Sequence, residues 1–217
     1  VVDFASEAQQ RRMQEIFGFR GDLIRDQVIA RAAAFSRSYV DGLYPPSAPG
    51  SVRWIHTVAS LREALASLGY EPSEQGQLSR TIHSDRRIAI LPSTGSPATG
   101  VPFYVAGKHP STKWPKGERT AEAVRQNSQP SLFGDDVPED DDELGGIKLE
   151  TWMLLQYATE DEVRAELSLP ADIDDRGFIR KWSVRLILPP FANDGGPVDH
   201  YDDGEGEDPI DVPVEPK

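Results

Sequence analysis

Between residues 92 and 117 the chain gathers groups suited to holding phosphate. Pro92-Ser93-Thr94-Gly95-Ser96-Pro97-Ala98-Thr99-Gly100 follows a strand-like run, and Lys108-His109-Pro110-Ser111-Thr112-Lys113-Trp114-Pro115-Lys116-Gly117 closes the segment. Backbone N–H groups and hydroxyls around Thr94, Gly95, Thr99 and Gly100 can cradle phosphate oxygens. Lys113 and Lys116 supply charge, and Trp114 offers a face on which a base can stack. The chemistry implied is binding of a phosphate ligand or of single-stranded nucleic acid. A Walker A loop is excluded, because the glycine spacing is wrong and no helix follows at once. The plainer alternative is an ordinary ordered surface loop.

Other polar sets are weaker. Asp85, Glu150, Glu166 and Lys148 are the residue types that hydrolytic metal chemistry uses when carboxylates sit on neighbouring strands beside a lysine. Their spacing is not diagnostic, and exposed strand carboxylates are the commoner case. His56, His83, His109 and His200 are isolated, with no pair at metal-ligand spacing. No serine has the setting of a nucleophile elbow. Sequence therefore assigns no catalytic group, metal site or cofactor.

The elements that must position these groups follow from periodicity. Residues 3–17 form a helix with Phe4, Ala8, Met13, Ile16 and Phe17 on one face. A second helix runs from Asp22 to about Gly42, and a third from about Val52 to Leu68, with Val58, Leu61, Leu65 and Leu68 as its stripe and Gly69 as its stop. Arg11, Arg12, Arg20, Arg25, Arg31 and Arg37 interleave with Glu7, Glu15, Asp22 and Asp26, the pattern of a solvated, salt-bridged face. The period then changes to two. Arg80–His83 and Arg86–Leu91 flank Ser84-Asp85 as a hairpin, and Glu118–Asn127 is a short helix. Thr151–Ala158, Val163–Leu169 and Ile179–Leu188 make a meander in which Trp182, Val184, Leu186 and Leu188 share a buried face.

The expected fold is α+β, an N-terminal helical layer packed on an antiparallel sheet of four to five strands. Residues 1–127 and 148–191 build one domain. Residues 128–147 form a disordered acidic linker, and 192–217 a disordered acidic tail.

Charge supports that division. The net charge is −13, yet residues 135–147 hold seven acids and no base, and residues 192–217 hold nine acids and only Lys217. Everything else carries 20 acids against 22 bases. A nucleic-acid mimic needs carboxylates spread over a rigid surface, so these clustered runs argue against one. No apolar run is long enough to span a membrane. Val1-Val2-Asp3-Phe4 has neither the charged region nor the apolar stretch of a secretory signal, and there is no cysteine for a disulfide framework. The expected location is cytoplasmic.

One short motif stands apart from its surroundings. Gln129-Pro130-Ser131-Leu132-Phe133-Gly134 puts two bulky apolar residues in a stretch that otherwise buries nothing. The hexamer resembles the peptide by which bacterial polymerases, mismatch-repair proteins and clamp-dependent regulators dock on the DNA sliding clamp. The resemblance implies that Gln129 hydrogen-bonds at a subsidiary pocket, Ser131 fills a small polar position, and Leu132 with Phe133 fill the main apolar pocket. Pro130 departs from the leucine preferred there and presets an extended backbone. Such a pair buries ~200–300 Å² at a partner, enough for a micromolar tether after ordering costs. The alternative is that Leu132 and Phe133 dock on this protein's own core. The leading expectation is an accessory factor of bacterial or mobile-element DNA metabolism held on the clamp. The others are a small enzyme or phosphate binder using residues 93–117, or an interaction protein using its acidic tail.

Overall fold

Helix α1 (Glu7–Phe17) carries Gln10, Met13 and Phe17 at helical spacing, and all three are buried. The chain re-enters helix at α2 (Gly21–Leu23), passes through a π-helical turn (Ile24–Ile29) and continues as α3 (Ala30–Arg37). Ile24, Val28, Ile29, Ala32 and Ala33 line the inner face of this run. Helix α4 (Ala48–Leu65) starts with Pro49 in its first turn, where a missing N–H costs nothing. It tightens into a 3-10 turn (Ala66–Leu68), and Gly69 ends it at a φ of 84°, a left-handed conformation that favours glycine. Leu68, expected on the apolar stripe, is exposed because that tighter turn rotates it outward. The arginine-rich layer is salt-bridged as its pattern implied: Arg20 pairs with Glu7 at 3.2 Å, and Arg25 with Asp26 at 2.6 Å.

The computed structural model describes residues 7–38, 43–45, 47–128 and 148–199. Its strands are β1 (Glu71–Ser73), β2 (Arg80–His83), β3 (Ile88–Thr94), β4 (Glu150–Ala158), β5 (Glu162–Asp172), β6 (Lys181–Ile187) and β7 (Phe191–Ala192). They form one seven-stranded sheet in the order β1-β2-β3-β4-β5-β6, with β7 also on β5. The expected α+β architecture holds, with two corrections. Among the described residues the sheet has seven strands rather than four to five, and it is mixed, because β3 and β4 run parallel from Ile88↔Glu150 to Thr94↔Gln156. A parallel pair needs a long crossover, here the stretch holding α5 (Phe103–Ala106) and α6 (Glu118–Ser128).

Both faces of the sheet are covered. On one, Trp152, Leu154, Leu167 and Leu186 pack with Phe17, Ile24, Val28, Leu61 and Leu65 of the helical layer. Phe17 meets Trp152 edge-on at 4.9 Å between ring centroids. On the other, Met153, Leu155 and Leu91 pack with Val124 of α6, Ile179 and Trp182. Two-sided cover explains why eight of the nine residues of β4 are buried.

Trp182 and Leu186 were expected on one face, and they belong to different cores. Leu169 pairs with Val184 but Pro170 pairs with Trp182, so β6 carries one extra residue there. Pro170 has no N–H to donate to the ladder, and a bulge beside it inverts the alternation. Residues 192–199, expected in the disordered tail, are instead ordered against the sheet. Asn193 and Asp199 are buried, and Asn193 Nδ2 donates to Thr159 O at 2.7 Å. Residues 200–217 lie outside the described residues. Among the described residues no helix is long and apolar enough to cross a membrane.

Candidate functional site

The last residues of β3 create the site. Strand β2 pairs with β3 only as far as Ile90, while β3 continues to Thr94 along β4. Among the described residues no strand lies beside that edge of β3 beyond Ile90, so Pro92 sits where no ladder N–H is required. The first turns of α4 fill part of the space, and Trp54 Nε1 donates to Pro92 O at 3.3 Å. What remains is a groove of about 950 Å³ at the C-terminal end of β3. Its walls are the start of α4, the segment Lys113–Lys116 and residues 197–199. Crevices at the carboxyl ends of parallel strands are the usual ligand positions in sheets with crossovers.

Two tryptophans and three cations define its character. Trp54 is 39% exposed and Trp114 is 64% exposed, so each presents ring surface to the groove. Lys113 Nζ lies 5.5 Å from the centre of the Trp114 ring. Arg53 is buried, and its Nη2 lies 2.5 Å from Asp199 Oδ1. Lys113 Nζ approaches the same oxygen at 3.8 Å. Asp199 Oδ2 accepts from Ala158 N at 2.9 Å, so this carboxylate is fully engaged. Lys116 differs: among the described residues no carboxylate lies within salt-bridge distance of it, and burial pushes its ammonium down to about 8. Three cations against one carboxylate leave the groove positive.

The segment that delivers Lys113 to Lys116 is an ordered excursion, not an open loop. Gly95 and Thr112 bridge at its neck, where Gly95 N donates to Gln156 O and Lys113 N to Thr94 O, each at 2.9 Å. The excursion is pinned by Glu166, which is fully buried and accepts from Arg185 Nε at 2.9 Å, Ser168 Oγ at 2.7 Å and Gly100 N at 2.8 Å. Gly100 has a φ of 70°, and a Cβ there would lie 2.7 Å from Arg164 Cβ, so only glycine fits this approach.

These contacts divide the sequence candidates. Thr94, Lys113, Trp114 and Lys116 line the groove together. Gly95, Thr99 and Gly100 do not: all three are buried, because the excursion folds onto the sheet and their backbone and hydroxyl groups point inward. Asp85, Glu150, Glu166 and Lys148 do not form a metal site. Glu166 is saturated by its own partners, while Asp85 lies in the hairpin turn and Glu150 is exposed on the opposite face of the sheet. Gln129, Ser131, Leu132 and Phe133 lie outside the described residues. Their flank is firmly held: Asn127 Nδ2 donates to Thr151 O at 3.0 Å, and its Oδ1 accepts from Thr151 N at 2.9 Å.

Sequence reasoning missed Arg53, Trp54 and Asp199. One signal was available for Arg53. It stands with Thr57, Leu61 and Leu65 at four-residue spacing, and all four are buried. An arginine continuing an apolar row must meet an acid, although nothing local says which. Compared with known protein families, curated proteins and solved structures, the chain matches none.

Proposed function

We propose that the groove binds a phosphate-bearing ligand with a planar base, and that its working ligand is a segment of single-stranded nucleic acid. The observation that carries this reading is the pairing of two exposed indoles with two lysines in one positive groove. Base–aromatic stacking is worth ~1–3 kcal/mol per base and tolerates any sequence, while lysine charge supplies the salt-dependent part. Arg53 already has a partner, so its role is to hold the groove wall, and ligand charge falls to Lys113 and Lys116. The test is fluorescence anisotropy with a short labelled oligothymidylate at low salt. Expected are micromolar binding, a fall with added salt, and loss in Trp54→Ala and Trp114→Ala. An absence of binding at about 100 μM protein ends this reading.

A second feature favours a role in bacterial or mobile-element DNA metabolism. Gln129-Pro130-Ser131-Leu132-Phe133 resembles the sliding-clamp peptide, and it leaves α6 directly after the Asn127 anchor. That anchor sits at the start of β4, whereas the groove sits at the end of β3 beside the end of β4. The nine residues of β4 span roughly 25–30 Å. A clamp holding the peptide would leave the groove clear at the other end of the sheet. Titration of a labelled 126–134 peptide with a bacterial clamp tests this part by itself.

A further inference from the structure

We propose that Lys116 is a nucleophile through which the groove captures single-stranded DNA at abasic sites. Its amine condenses with the aldehyde of the ring-opened deoxyribose to give an imine. This inference rests on the reading of the groove as a single-strand site and names the strand chemistry it selects. Lys116 lines the groove two positions after Trp114. Its backbone is fixed on both flanks. Lys116 N donates to Gly177 O at 2.7 Å, and a Cβ on Gly177, whose φ is 82°, would lie 2.9 Å from Lys116 O. The turn that carries Gly177 is itself braced, since Asp174 Oδ1 accepts from Arg176 N at 3.0 Å and from Phe178 N at 2.8 Å. On the other flank Gly117 O accepts from Thr120 N and Ala121 N, closing the first turn of α6. The amine therefore extends from a rigid base.

The cations of the groove differ in what they face. Arg53 and Lys113 share Asp199, whereas among the described residues no carboxylate lies within salt-bridge distance of Lys116. A desolvated lysine without an acid beside it gives up its proton readily and becomes nucleophilic. Burial lowers the Lys116 pKa to about 8, so roughly one amine in ten is neutral at pH 7. For a solvated lysine that share is below about one in a thousand. The charged majority attracts phosphate, and the neutral minority carries a lone pair. A strand lacking one base brings its bare sugar to the wall while neighbouring bases stack on Trp54 and Trp114. There the Nζ lone pair adds to C1′, forming a C–N bond as the carbonyl electron pair moves onto oxygen. One proton passes from nitrogen to that oxygen. The C–O bond of the carbinolamine then breaks, and the hydroxyl leaves as water with the remaining nitrogen proton. Amine plus aldehyde gives imine plus water, with no further reactant.

The experiment uses the full chain and an oligothymidylate with a single central abasic site, in the presence of cyanoborohydride, which reduces an imine to a stable amine. Expected is a covalent adduct of chain and strand whose attachment maps to Lys116 by mass spectrometry. Trapping is compared at equal strand occupancy, set by anisotropy, so that a change in affinity does not enter. On that basis Lys116→Arg, which keeps the charge, should lower the trapped yield about tenfold or more. Mapping on the unaltered chain decides the matter even if that variant fails to fold. Excess unmodified oligothymidylate should suppress the adduct, as competition for one groove demands. No adduct at full occupancy, or an adduct spread equally over Lys108, Lys113, Lys148 and Lys181, overturns the proposal while leaving the groove's reading as a single-strand site intact. An adduct of 2-deoxyribose 5-phosphate at Lys116, with no oligothymidylate bound, overturns the strand as substrate and the nucleic-acid reading with it.

Discussion

The guanidinium of Arg53 and the carboxylate of Asp199 meet 2.5 Å apart, with side-chain exposures of 3% and 5%. Arg53 belongs to the second turn of α4, and Asp199 to the segment after β7, so this pair ties the end of the described chain to the helical layer. Removing one member of a buried pair strands the other without water, which costs ~3–5 kcal/mol. Asp199→Ala should lose about that much in urea denaturation. Deleting residues 192–217 should lose at least as much, whereas deleting 200–217 should leave the midpoint almost unchanged. Equal stability of all three proteins would refute the anchoring role.

Lys116 links stability to function with opposite signs. Its ammonium is lowered from 10.5 to about 8 by burial, so between those values the unfolded chain binds the proton more readily than the folded one. This contribution to stability therefore rises with pH across that window, and below about pH 8 the cost of the desolvated charge is present in full. Phosphate affinity needs the charged amine and should fall over the same rise. Lys116→Met should raise the melting temperature and weaken oligothymidylate binding. A variant that does both separates ligand binding from folding, and a drop in melting temperature would contradict the burial argument.

Glu166 and Arg185 predict a different failure. Glu166 is fully buried and engages Arg185, Ser168 and Gly100, so it joins β5 and β6 to the excursion. Glu166→Gln keeps the shape and removes the charge that compensates Arg185. The expected loss is about 3 kcal/mol or more, with increased hydrogen exchange at residues 95–101. Protection unchanged at Gly100 would show that the excursion is held by its neck alone.

Leu186 lies under the helical layer at 1% exposure, so Leu186→Ala should cost ~2–5 kcal/mol by chemical denaturation. Trp182 is half-buried in the other core and donates Nε1–H to Pro110 O at 2.8 Å. Its loss should loosen the excursion rather than the helices. Hydrogen exchange on Trp182→Ala distinguishes the two, since protection should drop around residues 110–112 and persist in α1.

The clamp-peptide proposal makes a paired prediction. Leu132→Ala with Phe133→Ala should abolish clamp binding and leave the unfolding midpoint where it was, because the affinity rests on one pocket. If the two side chains instead dock on this protein's own core, the same double change should cost ~2–5 kcal/mol.

What the sequence determined by itself was local. Helical spacing in α1 and α4, alternation in β5 and the stop at Gly69 all depend on neighbours within a few residues, and each is legible in the residue order. So is the clustering of Lys113, Trp114 and Lys116, because three useful side chains lie within four positions. Tertiary structure decided the rest. Alternation reads the same for parallel and antiparallel strands, so the β3–β4 pairing waited on the crossover between them. The bulge at Ser183 depends on a proline in a different strand, and it alone separates Trp182 from Leu186. Arg53 and Asp199 stand far apart in the chain, and neither residue's surroundings name the other. A buried charge specifies that it needs a partner, but only the packed chain says which acid reaches it.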